Sequence, residues 1–526
     1  MFYDDLESYS SQESWTSHES FTSNESCASP TSQDFWQTMS TNVYPQCPSP
    51  TASDIAPPPF PINSLFDEIL LEIFTCYVGQ SHMRDAWHTL ARVCRRWRSI
   101  AFGSPRRLNL RIFCSERVPV RKNLESWPSF PIVLTVDYYR KLGEDNILAT
   151  LEHHDRICQI AISNITSSLW EKALPLMQEP FPTLTNLNIR YTDDIMASVI
   201  PDSFLGGWAP RLKKLHLENI SFPGLSNLLL STTDLVHLNL DEISDSGYIP
   251  PDAMIACLST LTRLESLMIC FKSPRLLLER DRRLGRTSSS SSTRTFLPSL
   301  TCFKFKGVGE YLEDIVDEID APLLDTLKIT FFHQPISNTP RLAQFIGRLP
   351  KLETCNEASM RLDNWHASVK VVSLSKTTTN AFVLLEARHG QPDFLLSPLV
   401  QLCTSCLPQA LIPTVGELNI TGSDFSMPPG QDGLDDILWR EILRPFTGVN
   451  DLYLSPKIAP HIALVLEDLV GESLMELLPA LQNIFLKELQ LPGLVPEGIE
   501  HFVTARRIAD HPISVSRCET EVLLTW

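Results

Sequence analysis

Two patterns of hydrophobic and polar positions divide this chain. Over about residues 62–112, apolar side chains recur at helical spacing. Leu65, Ile69, Ile73 and Tyr77 repeat every four residues, and Phe66, Leu70 and Phe74 widen the stripe. Ser64 with Asp67 three positions on fits a capping box and predicts the helix start, and Gly79 predicts its end. A second helix is predicted with Trp87, Leu90, Ala91, Cys94, Trp97 and Ala101 on one face, closed by Gly103 and Pro105. Two helices this short bury too little to be stable alone. Part of their apolar surface must therefore pack on the rest of the chain or on a partner.

From about residue 108 to 510 a different pattern recurs, an apolar residue followed by others three and five positions later. Ile157-x-x-Ile160-x-Ile162, Leu184-x-x-Leu187-x-Ile189, Leu212-x-x-Leu215-x-Leu217 and Leu235-x-x-Leu238-x-Leu240 share it. So do Leu264-x-x-Leu267-x-Ile269, Leu300-x-x-Phe303-x-Phe305 and Leu324-x-x-Leu327-x-Ile329. Later matches are Val415-x-x-Leu418-x-Ile420, Val449-x-x-Leu452-x-Leu454 and Leu481-x-x-Ile484-x-Leu486. The first seven start 27, 28, 23, 29, 36 and 24 residues apart, which suits one short strand and one return helix per unit. Positions four and six alternate along the strand and point inward; the residues between them face out. Stacked units of this kind make a continuous core and a curved parallel sheet. Between Leu352 and Val415 the template fades, and Val369 to Leu374 reads as a degenerate strand.

Composition refines the boundaries. Residues 1–56 hold 19 Ser or Thr and eight acids but no base, so they are expected to be a disordered acidic tail. Pro57-Pro58-Pro59-Phe60-Pro61 closes that tail. The helical module then occupies 57–112, the repeats 113–510, and a C-terminal tail 511–526. A basic, serine-rich insertion over about 275–295 runs through Arg275, Arg280, Arg282, Arg283 and Arg286 to Arg294. It reads as a loop between repeats, and phosphate on its serines would neutralise the arginines. The 13 cysteines are odd in number and scattered, which implies free thiols and a cytoplasmic or nuclear compartment. The N-terminal stretch lacks the basic start and apolar core of a signal peptide, and no apolar run is long enough to span a membrane.

The segment Leu65-Phe66-Asp67-Glu68-Ile69-Leu70, then Ile73-Phe74, then Val93-Cys94-Arg95-Arg96-Trp97, resembles an F-box. Phe66 stands where that family usually has proline, and Leu108 falls near its usual late tryptophan. An F-box followed by leucine-rich-type repeats resembles the substrate receptors of Skp–cullin–F-box ubiquitin ligases, a layout abundant in mushroom-forming fungi. The resemblance implies an α/β fold: a small helical F-box module, then an irregular leucine-rich-repeat-like solenoid. Ile165, Ile220, Ile243 and Val308 stand where such repeats carry Asn or Cys, so no asparagine ladder is expected.

The resemblance also assigns surfaces. Leu65, Phe66, Ile69, Leu70, Ile73, Phe74, Val93 and Trp97 would contact a Skp-type adaptor and, through it, a cullin ligase. The same residues also suit closure of the core between the helices and the first repeat. A protein substrate, whose identity the sequence does not encode, would bind outward strand positions. Candidates are Asn186, Asn188, Lys214, His216, Asn239, Lys304, Lys328, Asn419 and Tyr453, beside Val236 and Ser266. They are mixed in polarity, so no single-sign field names a ligand.

Other chemistry has little support. Formal charge is −18, which disfavours nucleic acid and anionic membranes. The basic stretch 84–122 has few stacking aromatics and reads as a solvated helix face, or as steering toward an acidic adaptor. Phosphate-loop, G-x-G-x-x-G, G-x-S-x-G and H-E-x-x-H motifs are absent. The lone Cys403-Thr404-Ser405-Cys406 and the adjacent His153-His154-Asp155 are weak metal or redox signals, so no cofactor is expected. The expected role is non-catalytic, a ubiquitin-ligase substrate receptor or, alternatively, a ubiquitin-independent repeat scaffold.

Overall fold

The computed structural model describes residues 62–80, 86–114, 120–136, 143–163, 167–191, 199–273, 294–332, 339–374, 380–388, 396–422, 432–469, 471–487 and 495–518. The acidic tail, the proline run and the serines of the basic insertion lie outside them. The chain divides between Phe66 and Asp67 into two units. Of the first unit only Ile62–Phe66 is described, opening on a 3-10 turn over Ile62–Ser64.

The second unit opens with three helices, α1 (Asp67–Gln80), α2 (Ala86–Val93) and α3 (Arg95–Gly103). Because α1 starts at Asp67, the start expected from a capping box at Ser64, with Leu65 as the first helical residue, is corrected by two residues. Asp67 and Glu68 instead place negative charge against the positive end of the helix dipole. The single second helix expected over 87–101 is two helices. Cys94 breaks it in an extended conformation, and its Sγ accepts from the Trp97 amide (3.5 Å) as an N-cap.

Eighteen strands follow among the described residues. They begin with β1 (Ile112–Cys114), β2 (Ile132–Val136), β3 (Ile157–Ser163), β4 (Asn186–Arg190), β5 (Lys214–Glu218), β6 (His237–Ile243) and β7 (Ser266–Phe271). Next come β8 (Thr295–Phe296), β9 (Cys302–Gly307), β10 (Ile319–Asp320), β11 (Thr326–Phe331), β12 (Glu357–Leu362), β13 (His366–Ser373) and β14 (Ala381–Arg388). The last are β15 (Glu417–Gly422), β16 (Asp451–Leu454), β17 (Asn483–Lys487) and β18 (Ser514–Cys518). Apart from the small β8–β10 ladder, they form one open sheet in the order β1-β2-β3-β4-β5-β6-β7-β9-β11-β14-β13-β12-β15-β16-β17-β18. The fold is thus α/β with a large, mostly parallel sheet.

All ten template segments are strands, and neighbours pair with their template positions aligned. Ile160 meets Leu187, Leu187 meets Leu215, Leu215 meets Leu238, and so on to Leu452 and Ile484. Every fourth-position residue is buried, and so is every sixth except the half-buried Leu486. This is the alternation of a sheet with one covered face. The cover is a row of helices: α4 (Val120–Ser126), α5 (Glu144–Leu151), α6 (Ser167–Leu176), α7 (Leu225–Ser231), α8 (Pro251–Leu258), α9 (Gly309–Glu318), α10 (Pro340–Gly347), α11 (Leu396–Gln401), α12 (Asp432–Leu443), α13 (Ala459–Glu467) and α14 (Glu497–Ile508). Consecutive members such as α8 and α9, or α13 and α14, pack side by side.

Three features depart from the regular reading. Between β4 and β5 the described return is a 3-10 turn, Phe204–Gly207, rather than a helix. Between Leu352 and Val415 the suspected strand is real, but β13 runs antiparallel to both β12 and β14. Asp363 shapes the β12–β13 turn, its Oδ1 accepting from the amides of Trp365 (3.0 Å) and His366 (2.8 Å). Finally, β18 pairs with β17, so residues 514–518 belong to the sheet and not to the tail expected from residue 511. At the position where leucine-rich repeats carry Asn or Cys, Ile220 and Val308 are buried in the core. The preceding Asn219 adopts φ 55° and bonds the turn instead, donating to Tyr191 O (3.1 Å) and accepting from Lys272 Nζ (3.2 Å).

Candidate partner-binding surfaces

In the first unit Leu65 is half-buried and Phe66 is 77% exposed. In the second unit the residues proposed for adaptor contact separate by face. Ile69 (47%), Ile73 (42%) and Tyr77 (43%) stand in solvent at four-residue spacing, which aligns them along one side of α1. Leu70 and Phe74 are fully buried, a correction to the sequence reading that offered them to a partner. The physical reason is the packing of this side of α1 on α2 and α3, where the half-buried Trp97 ring sits 4.8 Å from that of Phe74. Val93, the last residue of α2, is exposed.

Charged residues hold this arrangement from outside. Arg96 binds Asp67 Oδ1 through Nε (2.9 Å) and Nη2 (2.5 Å), and Arg107 pairs with Glu72. Two of the arginines in the basic stretch therefore clamp α1. Beneath, Trp87 joins α2 to the start of the sheet. Its indole packs against Phe102, Trp127 and Phe130, and its Nε1 donates to Arg111 O (3.1 Å).

The second surface is the side of the sheet opposite the helices. Strand register converts the fifth template position into a continuous row: Asn188, His216, Asn239, Met268, Lys304, Lys328, Leu384, Lys370, Ser359, Asn419, Tyr453 and Phe485. Asn186 and Lys214 are neighbours in a parallel row two residues earlier. Lys214 and Lys304 are exposed; Asn186, Asn188, His216, Asn239, Lys328 and Tyr453 are half-buried. Asn419 is buried and accepts from Lys487 Nζ (3.2 Å), so it supports the surface instead of presenting a contact.

A polar network crosses β4 to β6. Asn239 Nδ2 and His216 Nδ1 lie 3.2 Å apart, and His216 Nε2 faces Glu218 Oε2 at 3.5 Å. Glu218 also lies 3.3 Å from Arg190 Nε. The His216 contact, and secondly Arg190, hold its carboxyl below the usual range against the effect of burial. Neighbouring Asp241 is pushed up by burial and by Glu242 and Glu218. Glu242 itself is paired with Lys306 (2.8 Å). Further along, Lys328 meets Glu386 (3.1 Å), which also accepts from Thr330 Oγ1 (2.7 Å).

Sequence reasoning named only part of this face. It missed Glu218, Asp241, Lys306, Glu357, Glu417, Asp451 and Phe485. The signal for Glu218, Asp241 and Lys306 was present, since the seventh template position is as outward as the fifth.

The residues of the weak chemical signals have the following surroundings. His154 lies in a turn, with Nδ1 against Pro180 O (2.9 Å). Cys403 and Cys406 are buried, with Thr339 Oγ1 donating to Cys406 Sγ (3.1 Å). Burial pushes the Cys406 thiol up to about 12 and raises that of Cys403 as well. Both are therefore protonated near neutrality. Iodoacetamide at pH 8 is expected to alkylate exposed Cys76 in the folded chain and to reach Cys403 and Cys406 only after denaturation. Peptide mass spectrometry reads this directly; native-rate labelling of either buried thiol would overturn it.

Among the described residues there is no His, Cys, Asp and Glu group able to hold a metal ion, and no helix long and apolar enough to cross a membrane. Compared with family models and with curated proteins, the chain matches none.

Proposed function

We propose that this chain is a non-catalytic substrate-recognition subunit of a Skp–cullin–F-box ubiquitin ligase. In this reading the α1–α3 segment docks a Skp-type adaptor. The strands and helices from β1 onward form an irregular leucine-rich-repeat-like solenoid that binds the target protein, in the cytoplasm or nucleus. Transfer chemistry would reside in partner subunits, with this chain supplying proximity.

One observation carries the reading. The stripe Ile69–Ile73–Tyr77 is exposed while Leu70 and Phe74, about a quarter turn round the same helix, are fully buried. A rigid helix presenting aligned apolar residues is a helix-docking surface. Full burial of an Ile is worth roughly 1.5–3 kcal/mol, so covering the exposed half of each gives about 1 kcal/mol apiece. The strands support the repeat part, since ten aligned units pair in parallel and largely in chain order.

The test is capture of a purified Skp-type adaptor by the full chain. Ile69→Asp with Ile73→Asp is expected to weaken capture more than about tenfold, which is 1.4 kcal/mol, without shifting the melting temperature. Failure of the unaltered chain to bind any such adaptor would sink the proposal. In that outcome the helical segment is a cap. The Trp87 contacts with Trp127 and Phe130 favour this second reading, a ubiquitin-independent repeat scaffold.

A further inference from the structure

The outward face of the sheet carries three acids side by side on adjacent strands. Strand order places β12 beside β15, although β13 and β14 follow β12 in the chain. Glu357 therefore pairs in register with Glu417, and Glu417 with Asp451. Neighbouring strands lie about 4.8 Å apart, so the three acids form a line roughly 10 Å long. Among the described residues none of the three is ion-paired; Asp451 Oδ1 accepts only from the neutral Asn483 Nδ2 (2.6 Å). Like charges set directly opposite one another destabilise a sheet. Partial burial, and then Glu357 and Asp451, push the Glu417 carboxyl up.

Two residues further along the same strands, Tyr453 and Phe485 are register partners. Their rings stack at 4.5 Å with 12° between planes, and both remain partly open to solvent. The lysines on these and adjoining strands are engaged elsewhere. Lys370 lies over the Phe382 ring at 5.1 Å, and Lys487 donates to Asn419.

We infer that the face of β12, β15, β16 and β17 receives a basic segment of the target protein. One arginine or lysine of that segment lies over Tyr453 and Phe485 and directs its charge to Glu417, Glu357 and Asp451. Charge complementarity selects this occupant. A cation relieves the repulsion of three unpaired carboxylates and is attracted to the negative face of an aromatic ring, whereas acidic peptides and nucleic acid are repelled. Arginine suits the site better than lysine, because its planar group both stacks on a ring and bonds carboxylates in pairs. This inference rests on the substrate-receptor reading and names the chemistry of its target.

The experiment uses the full chain and two fluorescein-labelled peptides, one of alternating glycine and arginine and one of alternating glycine and glutamate. Fluorescence anisotropy at low salt is expected to show binding of the first only. Glu417→Gln with Asp451→Asn should weaken it about tenfold, and Tyr453→Ala about fivefold. A control of equal charge change, Glu171→Gln with Glu179→Gln, alters two exposed acids that follow β3 and should leave binding within twofold. Equal losses in site and control variants would show diffuse attraction to an acidic protein and overturn the inference, as would the absence of arginine-peptide binding. Adaptor capture separates the two readings. The Glu417 and Asp451 variant should still capture the adaptor, and the Ile69 and Ile73 variant should still bind the peptide.

Discussion

Trp87→Ala is expected to lower the unfolding free energy by about 3–5 kcal/mol, much of the 5–15 kcal/mol typical of a folded domain. The indole is almost wholly buried and is met edge-on by Phe102, Trp127 and Phe130 at 6.3, 5.2 and 5.5 Å between ring centres. Truncation removes that packing and leaves a cavity that rigid neighbours cannot fill. It also strands the Arg111 carbonyl, which the indole nitrogen now satisfies, at a further cost of about 1–3 kcal/mol. Trp87→Phe separates the two effects, since it keeps most of the apolar volume and loses only the donor. Urea denaturation measures both, and hydrogen exchange across residues 86–103 should locate the loosening. Adaptor capture should fall with Trp87→Ala because α1 loses its support, in contrast to Ile69→Asp, which leaves melting unchanged. A Trp87→Ala midpoint equal to that of the unaltered chain would mean this cluster does not join the helices to the sheet.

Gly448→Ala is expected to be the most damaging single-methyl addition near the outward acids. A Cβ there would overlap the Pro413 carbonyl oxygen and stand 3.1 Å from its carbon and 3.3 Å from Val415 O. These are backbone atoms of the preceding unit, so no side chain can swing aside. The approach is close because the turn before β16 stacks on the turn before β15. The amides of Asn450 and Asp451 both bond Gly416 O, at 2.8 and 3.1 Å. Prising these turns apart should cost about 1–3 kcal/mol or more. Gly416→Ala is the internal control, because its Cβ would meet only Asn356 O at an ordinary 3.7 Å. A lower urea midpoint for the first, beside a near-unchanged one for the second, is the expected pattern; equal midpoints would refute the stacking argument.

Much of the sheet could be read from the chain because the signal is local. Ten apolar triplets became ten strands, and burial at the fourth and sixth positions follows from the two-residue period of a strand. Apart from β13, legible as a degenerate strand from Val369 to Leu374, strands without the triplet went unread. β12 and β14 replace it with alternations such as Ala358, Met360 and Leu362, which pair antiparallel or across a reordered neighbour. The last strand, β18, was hidden by a short polar segment whose single buried residue nearby is Ile513. The apolar arc of α1 is wide, interrupted on the side of Glu68, Glu72 and Thr75, so Leu70–Phe74 and Ile69–Ile73 are equally good stripes by spacing. The packing of α1 on α2 and α3, where Trp97 meets Phe74, decides which of them is core. The second helix broke at Cys94 because an N-cap bond there competes with continuation, a choice invisible to apolar periodicity.

From the amino acids alone came the repeating strand unit, its inward positions, the helical segment before it and the acidic, serine-rich start. Each of these depends on neighbours within a few residues, where spacing and composition suffice. Folding in three dimensions settled which side of α1 faces solvent, that Asn419 is buried, and that β12 lies against β15. The line of Glu357, Glu417 and Asp451 exists only through that last choice. Strand order and helix orientation are set by packing between segments many tens of residues apart, and no local pattern encodes it.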